Sequence, residues 1–221
     1  FARLADIPLI DKYEAYQMLD DSWNTIAVDL EMIQTEGFEA TKKVDPHLVT
    51  KKKGNEEQEV QDGWVGHILP FDLLQRTILK PEADALHELE NQLAEFPAEY
   101  EALLDEFTED DKETYKECFS DEGDAFVPKE IAKKLKELRR DRSPEAQKAY
   151  HIFSRVDDMT KQEKALKAEI KSAAAELDAL TKTTIEGLTD AQVLELLEQK
   201  WIMPLFAELA KLPNTMVEGL V

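Results

Sequence analysis

The sequence is poor in the residues that make cross-links, tight turns and phosphate-binding loops. Its single cysteine, Cys118, excludes an internal disulfide and is predicted to be a small, partly buried apolar residue or an idle thiol, not a nucleophile. Only 7 glycines and 9 prolines occur in 221 residues. This scarcity favours a helical protein and leaves little material for a glycine-rich phosphate loop.

Long apolar runs and basic side chains are also scarce. No run approaches the ~18 apolar residues of a membrane-spanning helix, and no signal peptide is visible, so the sequence predicts a soluble, cytoplasmic protein. Only 27 basic residues stand against 48 acidic ones, which gives a net charge of -21. Because such a surface repels phosphate backbones, we expect little direct DNA binding by the isolated chain.

Motifs for catalysis are missing as well. The sequence has no Gly-Lys-Ser/Thr phosphate loop, no Gly-x-Ser-x-Gly elbow and no paired cysteine motif. The acidic run from Asp105 to Asp124 lacks the ligand pattern of an EF-hand. The four histidines show no metal-ligand spacing: His47, His67, His87 and His151. We therefore predict no catalytic, cofactor-binding or metal-binding residue in this chain.

What the sequence does contain is a long heptad pattern. Its first part has apolar residues at alternating steps of three and four: Leu86, Leu89, Leu93, Phe96, Tyr100, Leu103 and Phe107. The same spacing returns from Ala149 to Leu180 and is broken only by Glu163. Each part is typical of a helix whose apolar stripe faces a partner helix. The pattern predicts a long antiparallel coiled-coil hairpin over residues 81–182, with a connector at 108–143.

Flanking segments complete the predicted architecture, with residues 1–80 before the hairpin and a C-terminal helical segment, residues 183–221, after it. Ile10 and Asp11 are typical of a helix start. Residues 25–33 suit a helix or a strand, and residues 37–62 lose all periodicity, which predicts a mobile loop. The predicted fold class is mainly α, with flanking helices around the hairpin; a small two-stranded β element within residues 25–70 stays open.

The connector has an acidic first half and a basic second half. Its basic half is an amphipathic helix whose cations are candidates for contact with DNA: Lys133, Lys134, Lys136, Arg139 and Arg140. Two interpretations are open. Either this helix forms ion pairs with its acidic neighbour, or it is a phosphate-contacting tip.

The last predicted helix carries a bulky apolar stripe, with Pro204 as a kink. Its residues are candidates for docking a partner: Leu194, Leu197, Trp201, Leu205 and Leu209. A stripe of this kind is either a lid on the protein's own core or a docking surface.

An ordered set of short motifs resembles a known family. The motifs are Ile10-Asp-Lys-Tyr-Glu-Ala-Tyr-Gln-Met-Leu with Trp23, Gly63-Trp64 with Leu69-Pro70, the predicted hairpin, and Leu188-Thr189 with Lys200-Trp201. In order and rough spacing they resemble the C-terminal part of the modification (M) subunit of type I restriction-modification systems. The resemblance covers nearly the whole chain, although residues 37–62 and the acidic connector match poorly.

The resemblance implies an assembly role. The complete subunit of that family is an S-adenosylmethionine-dependent DNA methyltransferase that methylates adenine at N6. Its Phe-x-Gly-x-Gly cofactor motif and Asn-Pro-Pro-Phe/Tyr catalytic motif do not occur here, so no catalytic or cofactor residue is implied for this chain. The C-terminal region is expected to pack against the specificity (S) subunit, which reads the DNA target, and through the complex to join the restriction subunit and DNA.

The resemblance also bears on the last helix and on the start of the chain. It favours docking over a core lid for the Trp201 helix, and the start at Phe1 is expected of a fragment of a longer protein. The alternative function is a free-standing acidic coiled-coil scaffold that pairs with itself. A stable dimer in solution is expected of the scaffold, whereas a monomer is expected of an unpartnered assembly module.

Overall fold

Helices dominate the computed structural model, which describes residues 12–53 and 56–211. The α-helices are α1 Lys12–Glu36, α2 Phe71–Arg76, α3 Lys80–Leu104, α4 Glu109–Thr114, α5 Pro128–Leu138, α6 Pro144–Glu186, α7 Asp190–Leu197 and α8 Met203–Leu209. Strands β1 Val44–Lys53 and β2 Glu56–Gly66 form a two-stranded antiparallel sheet. The predicted fold class, mainly α with one small sheet, is therefore confirmed. The predicted Asp11 cap lies outside the described residues.

The chain divides into two compact units. Among the described residues, the first unit is formed by those up to Ala83 together with those from Glu176 onward, and the second by Asp84–Ala175. The segments 1–80 and 183–221, separated in the sequence by the predicted hairpin, thus contribute to one and the same unit. Helices α3 and α6 supply residues to both units.

The β-hairpin corrects the prediction of a loop at residues 37–62. A short 3₁₀ helix, Phe38–Lys42, follows α1, and the two strands pair from Val44 opposite Gly66 to Lys53 opposite Glu56. Two cross-strand features support the pairing: Val49 lies opposite Val60, and Lys51 forms an ion pair with Asp62 at 3.4 Å. The signal was a two-residue Gly-Asn spacer between a run of lysines and a run of glutamates, which is a hairpin pattern without apolar alternation.

The first unit has its core where α2, α7 and the end of α6 meet. The fully or almost fully buried residues include Leu69, Leu73, Leu74, Ile185, Val193 and Leu196. Gly66 ends β2 where a Cβ atom would overlap the carbonyl of Leu69, so the chain can turn there only with glycine. Residues 25–33, which the pattern left open between helix and strand, are part of α1.

The second unit has an aromatic core. Phe153 of α6 is fully buried, stacks on Phe107 at 5.0 Å between ring centroids, and meets the edge of Tyr115 at 5.6 Å. Phe119 and Phe126, joined by an isolated β-bridge, close the cluster. Such edge-to-face and offset pairs add to the free energy gained by burial.

Capping explains where helices begin in both units. Thr108 and Asp111 form a capping box at the start of α4, and Thr189 and Gln192 form another at α7. The Ser143 hydroxyl accepts a hydrogen bond from the Ala146 backbone N–H, and α6 begins at the next residue, Pro144. Both patterns, Ser143 followed by Pro144 and Thr189 followed by Gln192, are typical of helix starts in a sequence, and α6 and α7 begin there.

Helices α3 and α6 run antiparallel where they meet in the second unit. Residues progressively earlier in α3 and the turn after it contact residues progressively later in α6. Phe107 contacts Phe153, Glu106 pairs with Arg155, and the Tyr100 hydroxyl donates to Glu163. Between Leu86 and Phe96 the seam residues of α3 are half-buried and the intervening residues are mostly exposed. Coiled-coil packing of the two arms over that range stays a prediction.

A charge placed in the seam tests that packing. We expect Leu93→Asp to lower the free energy of unfolding by about 2 kcal/mol or more, because it removes apolar contact and brings an ion into a half-buried position. Thermal and urea unfolding followed by circular dichroism would measure the change. Asn91→Asp adds the same charge at an exposed position of α3 and should stay within about 0.5 kcal/mol of the parent. Unchanged melting of Leu93→Asp would rule out a paired seam.

Candidate functional site

The C-terminal helical segment is built from α7, a π-helical turn at Glu198–Ile202, and α8. Pro204 lies in the first turn of α8, where its missing N–H is tolerated. The π turn immediately before it changes which side chains face inward, since a π turn contains one more residue than an α-helical turn. The predicted kink at Pro204 is therefore a π turn followed by a new helix start.

The five candidate docking residues do not share one environment. Leu197 is buried, and Trp201 is partly buried and packs against the core of the first unit. Leu205 and Leu209 are half-buried, whereas Leu194 is 59% exposed. The structure thus turns the middle of the predicted stripe toward the chain's own core and leaves only its first residue largely outside.

A buried carboxylate explains why Trp201 points inward. Asp29 of α1 is only 6% exposed, and its Oδ2 atom accepts hydrogen bonds from Lys200 Nζ at 2.5 Å and from Trp201 Nε1 at 2.7 Å. Lys200 Nζ also donates to the backbone carbonyl of Ile68 at 2.6 Å. These contacts connect α1, the turn before α2 and the π turn. Lys200 and Trp201 are therefore structural anchors of the first unit.

Large apolar side chains are exposed on α1 and α8. On α1 the residues Leu19, Trp23, Ile26 and Leu30 follow steps of four, three and four along one face. Trp23 is 56% exposed, and on α8 Met203 and Phe206 are 54% and 63% exposed. Helices α1 and α8 contact each other. We call Leu19, Trp23, Leu30, Met203 and Phe206 the exposed apolar set.

The sequence contains a signal for the α1 part of this set. The spacing on α1 is amphipathic, but most aliphatic residues at such spacing belong to a core. Burial separates the two cases: Ala15, one turn before Leu19 along the same stripe, and Asp29 are buried, whereas Leu19, Trp23 and Leu30 are exposed. Beside Met203 and Pro204, a groove of about 680 Å³ includes the carboxylates of Glu195 and Glu198 in its lining.

The candidate DNA-contacting helix, α5, is partly neutralised within the second unit. Lys133 pairs with Glu130 at 2.8 Å, and Lys134 pairs with Glu117 and Glu137. The pKa of Lys134 is raised, chiefly by its hydrogen bond to Glu117 and further by its hydrogen bond to Glu137. The contact with Glu117 agrees with the interpretation that the basic helix lies against its acidic neighbour.

Cations at the end of α5 and just after it remain outside these pairs. Lys136, Arg139 and Arg140 are exposed, and no ion pair involves them among the residues that the structure describes. Leu138 and Ile131 are buried on the opposite side of α5. The basic surface predicted from five residues is thus concentrated at the end of the helix.

Two other ionisable side chains, His67 and Cys118, have contacts typical of residues that stabilise the fold. His67 hydrogen-bonds to Asp45 at 2.6 Å and to Glu36 at 3.1 Å, and its pKa is raised, chiefly by the bond to Asp45. Cys118 is fully buried, and burial raises the pKa of its thiol to about 11. A thiol with that pKa is protonated at neutral pH, as expected of a core residue. Within residues 12–53 and 56–211, no group of three His, Cys, Asp or Glu side chains is arranged to hold a metal ion.

Comparisons with protein-family models, with curated proteins and with solved structures found no match to this chain. Among the described helices, none combines the length and the apolar composition that crossing a membrane requires.

Removing the buried carboxylate tests the anchor role of Trp201. We expect Asp29→Ala to lower the free energy of unfolding by about 3–5 kcal/mol, because it leaves the Lys200 ammonium and the Trp201 N–H without their acceptor. Asp29→Asn keeps an acceptor for the indole and should cost less. Urea unfolding followed by tryptophan fluorescence would measure both, with exposed Asp20→Ala on the same helix as the control. An Asp29→Ala protein as stable as that control would contradict the anchor.

Proposed function

We propose that this chain is the C-terminal, non-catalytic portion of a type I restriction-modification methyltransferase subunit, and that it assembles the subunit with its specificity (S) partner. The observation that carries the proposal is the exposed apolar set on α1 and α8. Large apolar side chains clustered on neighbouring elements and left in water are typical of surfaces that bind another protein. Tryptophan, phenylalanine and methionine are also enriched in the centres of protein interfaces.

Helix spacing and charge favour a particular kind of partner. The stripe on α1 repeats at steps of four and three, which suits the apolar face of another helix packed along it. The chain carries a net charge of -21, so its field attracts a basic protein and speeds the encounter. A DNA-reading subunit with helices beside its DNA-binding surface has both properties.

The residues that carry the family resemblance have coherent positions in the first unit, which supports the proposal. Leu69 and Leu188 are buried in its core, and Lys200 and Trp201 anchor α1. The ring of Trp64 lies under the Lys182 ammonium, 3.4 Å from its centroid. Motifs far apart in the sequence thus serve one packing arrangement.

The proposal includes the role of the whole complex. Methyl transfer from S-adenosylmethionine to adenine N6 belongs to the part of the subunit that carries the missing motifs, and target choice belongs to the S subunit. The restriction subunit and DNA join through the assembled complex, which acts in the cytoplasm. This chain supplies the docking surface and no catalytic residue.

Co-purification with the type I S subunit encoded beside its gene tests the docking role. We expect the parent chain to bind, and Trp23→Asp combined with Phe206→Asp to weaken binding at least about 30-fold, as loss of interface hot spots does. Val28→Asp is the matched control, because Val28 is 57% exposed but lies on the opposite face of α1. It should bind like the parent.

The contrary outcomes separate the proposal from its alternative. Failure of the well-folded parent to bind the S subunit, or full binding by the double variant, would overturn the docking role. The mass of the parent alone is measured by sedimentation beforehand. A stable dimer that survives high salt would favour the self-pairing coiled-coil scaffold instead, and a concentration-independent monomer would remove that alternative.

We further propose that the exposed end of α5 lies against DNA in the assembled complex. The supporting observation is that Lys136, Arg139 and Arg140 are exposed cations outside the ion pairs that neutralise Lys133 and Lys134. An arginine beside a phosphate releases a counterion, so this contact would appear in the salt dependence of binding.

Charge reversal at the end of α5 tests that contact. We expect Arg139→Glu with Arg140→Glu to weaken DNA binding by the complex and to reduce the slope of log K against log salt by about 0.9 for each lost phosphate contact. Lys164→Glu with Lys171→Glu changes the total charge equally on exposed positions of α6 and is the control. Equal DNA affinity of the two double variants would discard the contact.

A further inference from the structure

Two local departures from helical rules meet in the second unit. Pro97 lies inside α3, where proline removes a backbone hydrogen bond and costs about 3 kcal/mol. Glu163 of α6 occupies a seam position at which the heptad pattern expects an apolar residue. Positions that break the local rules without an evident packing gain tend to be functional. Both residues line the same cleft, of about 470 Å³.

The cleft has aromatic walls and fixed polar groups. Tyr100 and Phe126 line it, with 6.4 Å between their ring centroids. The Tyr100 hydroxyl donates to Glu163 Oε2 at 2.9 Å and lies 3.3 Å from Thr160 Oγ1, so the ring is held in position. An apolar pocket of this size with a few oriented polar groups is the usual form of a small-molecule site.

The charged residues that line the cleft are all acidic. Glu101, Asp124 and Glu163 line it, and no lysine or arginine is among its lining residues. Lys167 hydrogen-bonds Glu163 Oε1 at 2.6 Å and lowers the pKa of Glu163. The other oxygen of that carboxylate faces Tyr100. Asp124 accepts a hydrogen bond from the Ser120 hydroxyl at 2.6 Å.

We propose that this cleft binds an organic cation: a protonated amine carried on an apolar or aromatic body. The carboxylates attract the ammonium group, and the faces of Tyr100 and Phe126 contact both the apolar body and the cation. An anionic ligand is repelled by Glu101 and Asp124, while Lys167 compensates the charge of Glu163. A neutral ligand of the same shape gains only the apolar contact. The site lies in the second unit and is independent of the docking residues proposed above, all of which belong to the first.

Binding of three matched probes to the full chain tests the charge selectivity. The probes are 2-phenylethylammonium, neutral 2-phenylethanol and anionic 3-phenylpropionate, followed by NMR shifts of the cleft residues. We expect saturable binding of the ammonium, at least about tenfold weaker binding of the alcohol, since even partly screened charges contribute about that factor, and no binding of the carboxylate.

Variants locate the site and identify the carboxylates. Glu101→Gln with Glu163→Gln removes two charges but keeps an acceptor for Tyr100, and should weaken ammonium binding about tenfold or more. Glu95→Gln with Glu99→Gln removes two charges from exposed positions of α3 outside the cleft and should change the affinity less than about twofold by the long-range field alone. Circular dichroism confirms that both proteins fold.

Nα-acetyl-lysine amide distinguishes two sources of the cation. Binding as tight as that of the aromatic amine identifies a lysine side chain of a protein as the ligand, whereas selective binding of the aromatic amine identifies a free small molecule. The proposal is overturned if the folded parent shows no saturable shifts with millimolar ammonium, if the alcohol binds equally well, or if the cleft double variant binds like its control.

Discussion

Asp29 accepts hydrogen bonds from two adjacent residues that follow it by 171 and 172 positions, and one oxygen atom receives both. Burying that carboxylate is unfavourable unless its donors are in place, so α1 is held against the π turn only when Lys200 and Trp201 occupy their observed positions. The third contact, from Lys200 to the carbonyl of Ile68, brings in the turn that precedes α2. Much of the first unit is thus arranged around one charge pair and its indole neighbour.

The contacts of Asp29 also determine which aromatic side chains of the first unit are exposed. Because Trp201 is turned inward, the aromatic side chain exposed on the same segment is Phe206; on α1, Trp23 and Tyr13 are exposed. The apolar residues of the C-terminal segment therefore serve two purposes: Leu197 and Trp201 complete a core, whereas Leu194, Met203 and Phe206 face solvent. The chain carries a net charge of -21, and a net charge far from zero opposes self-association of a surface with exposed apolar groups.

Local signals in the sequence predicted the structure well, and signals that depend on distant residues did not. Ser143, Pro144 and the Thr189 capping box act within one helical turn, and each marks a helix start where the structure has one. A two-stranded β element within residues 25–70 stays open in the sequence and is present in the structure, but its bounds were not predicted, because most of its cross-strand pairs, such as Thr50 with Glu59, lack apolar alternation. The fold class was predictable from periodicity, while the packing of the arms between Leu86 and Phe96 depends on contacts that periodicity alone does not determine.

The candidate sites show the same difference between local signals and contacts with distant residues. The sequence does not predict that the Trp201 side chain points toward the core. Asp29 is one acidic residue among several in α1, and nothing local marks it as a buried acceptor. The cations of α5 were visible in the sequence, but which of them are neutralised depends on Glu117, from another element. Glu163 was visible as a break in the seam, and only the structure shows that it faces Tyr100 and shares a cleft with Pro97.

The π turn at Glu198–Ile202 has a consequence for how this surface can change through evolution. Leu197, Trp201, Leu205 and Leu209 are spaced by four, so on a regular α-helix each would advance by about 40° around the axis relative to the last. A π turn contains one extra residue and absorbs part of that drift. It therefore acts as a phase shift between α7 and α8. Gain or loss of one residue there rotates everything beyond it by about 100°, which would exchange the side chains offered to a partner while leaving the composition of the helix almost unchanged.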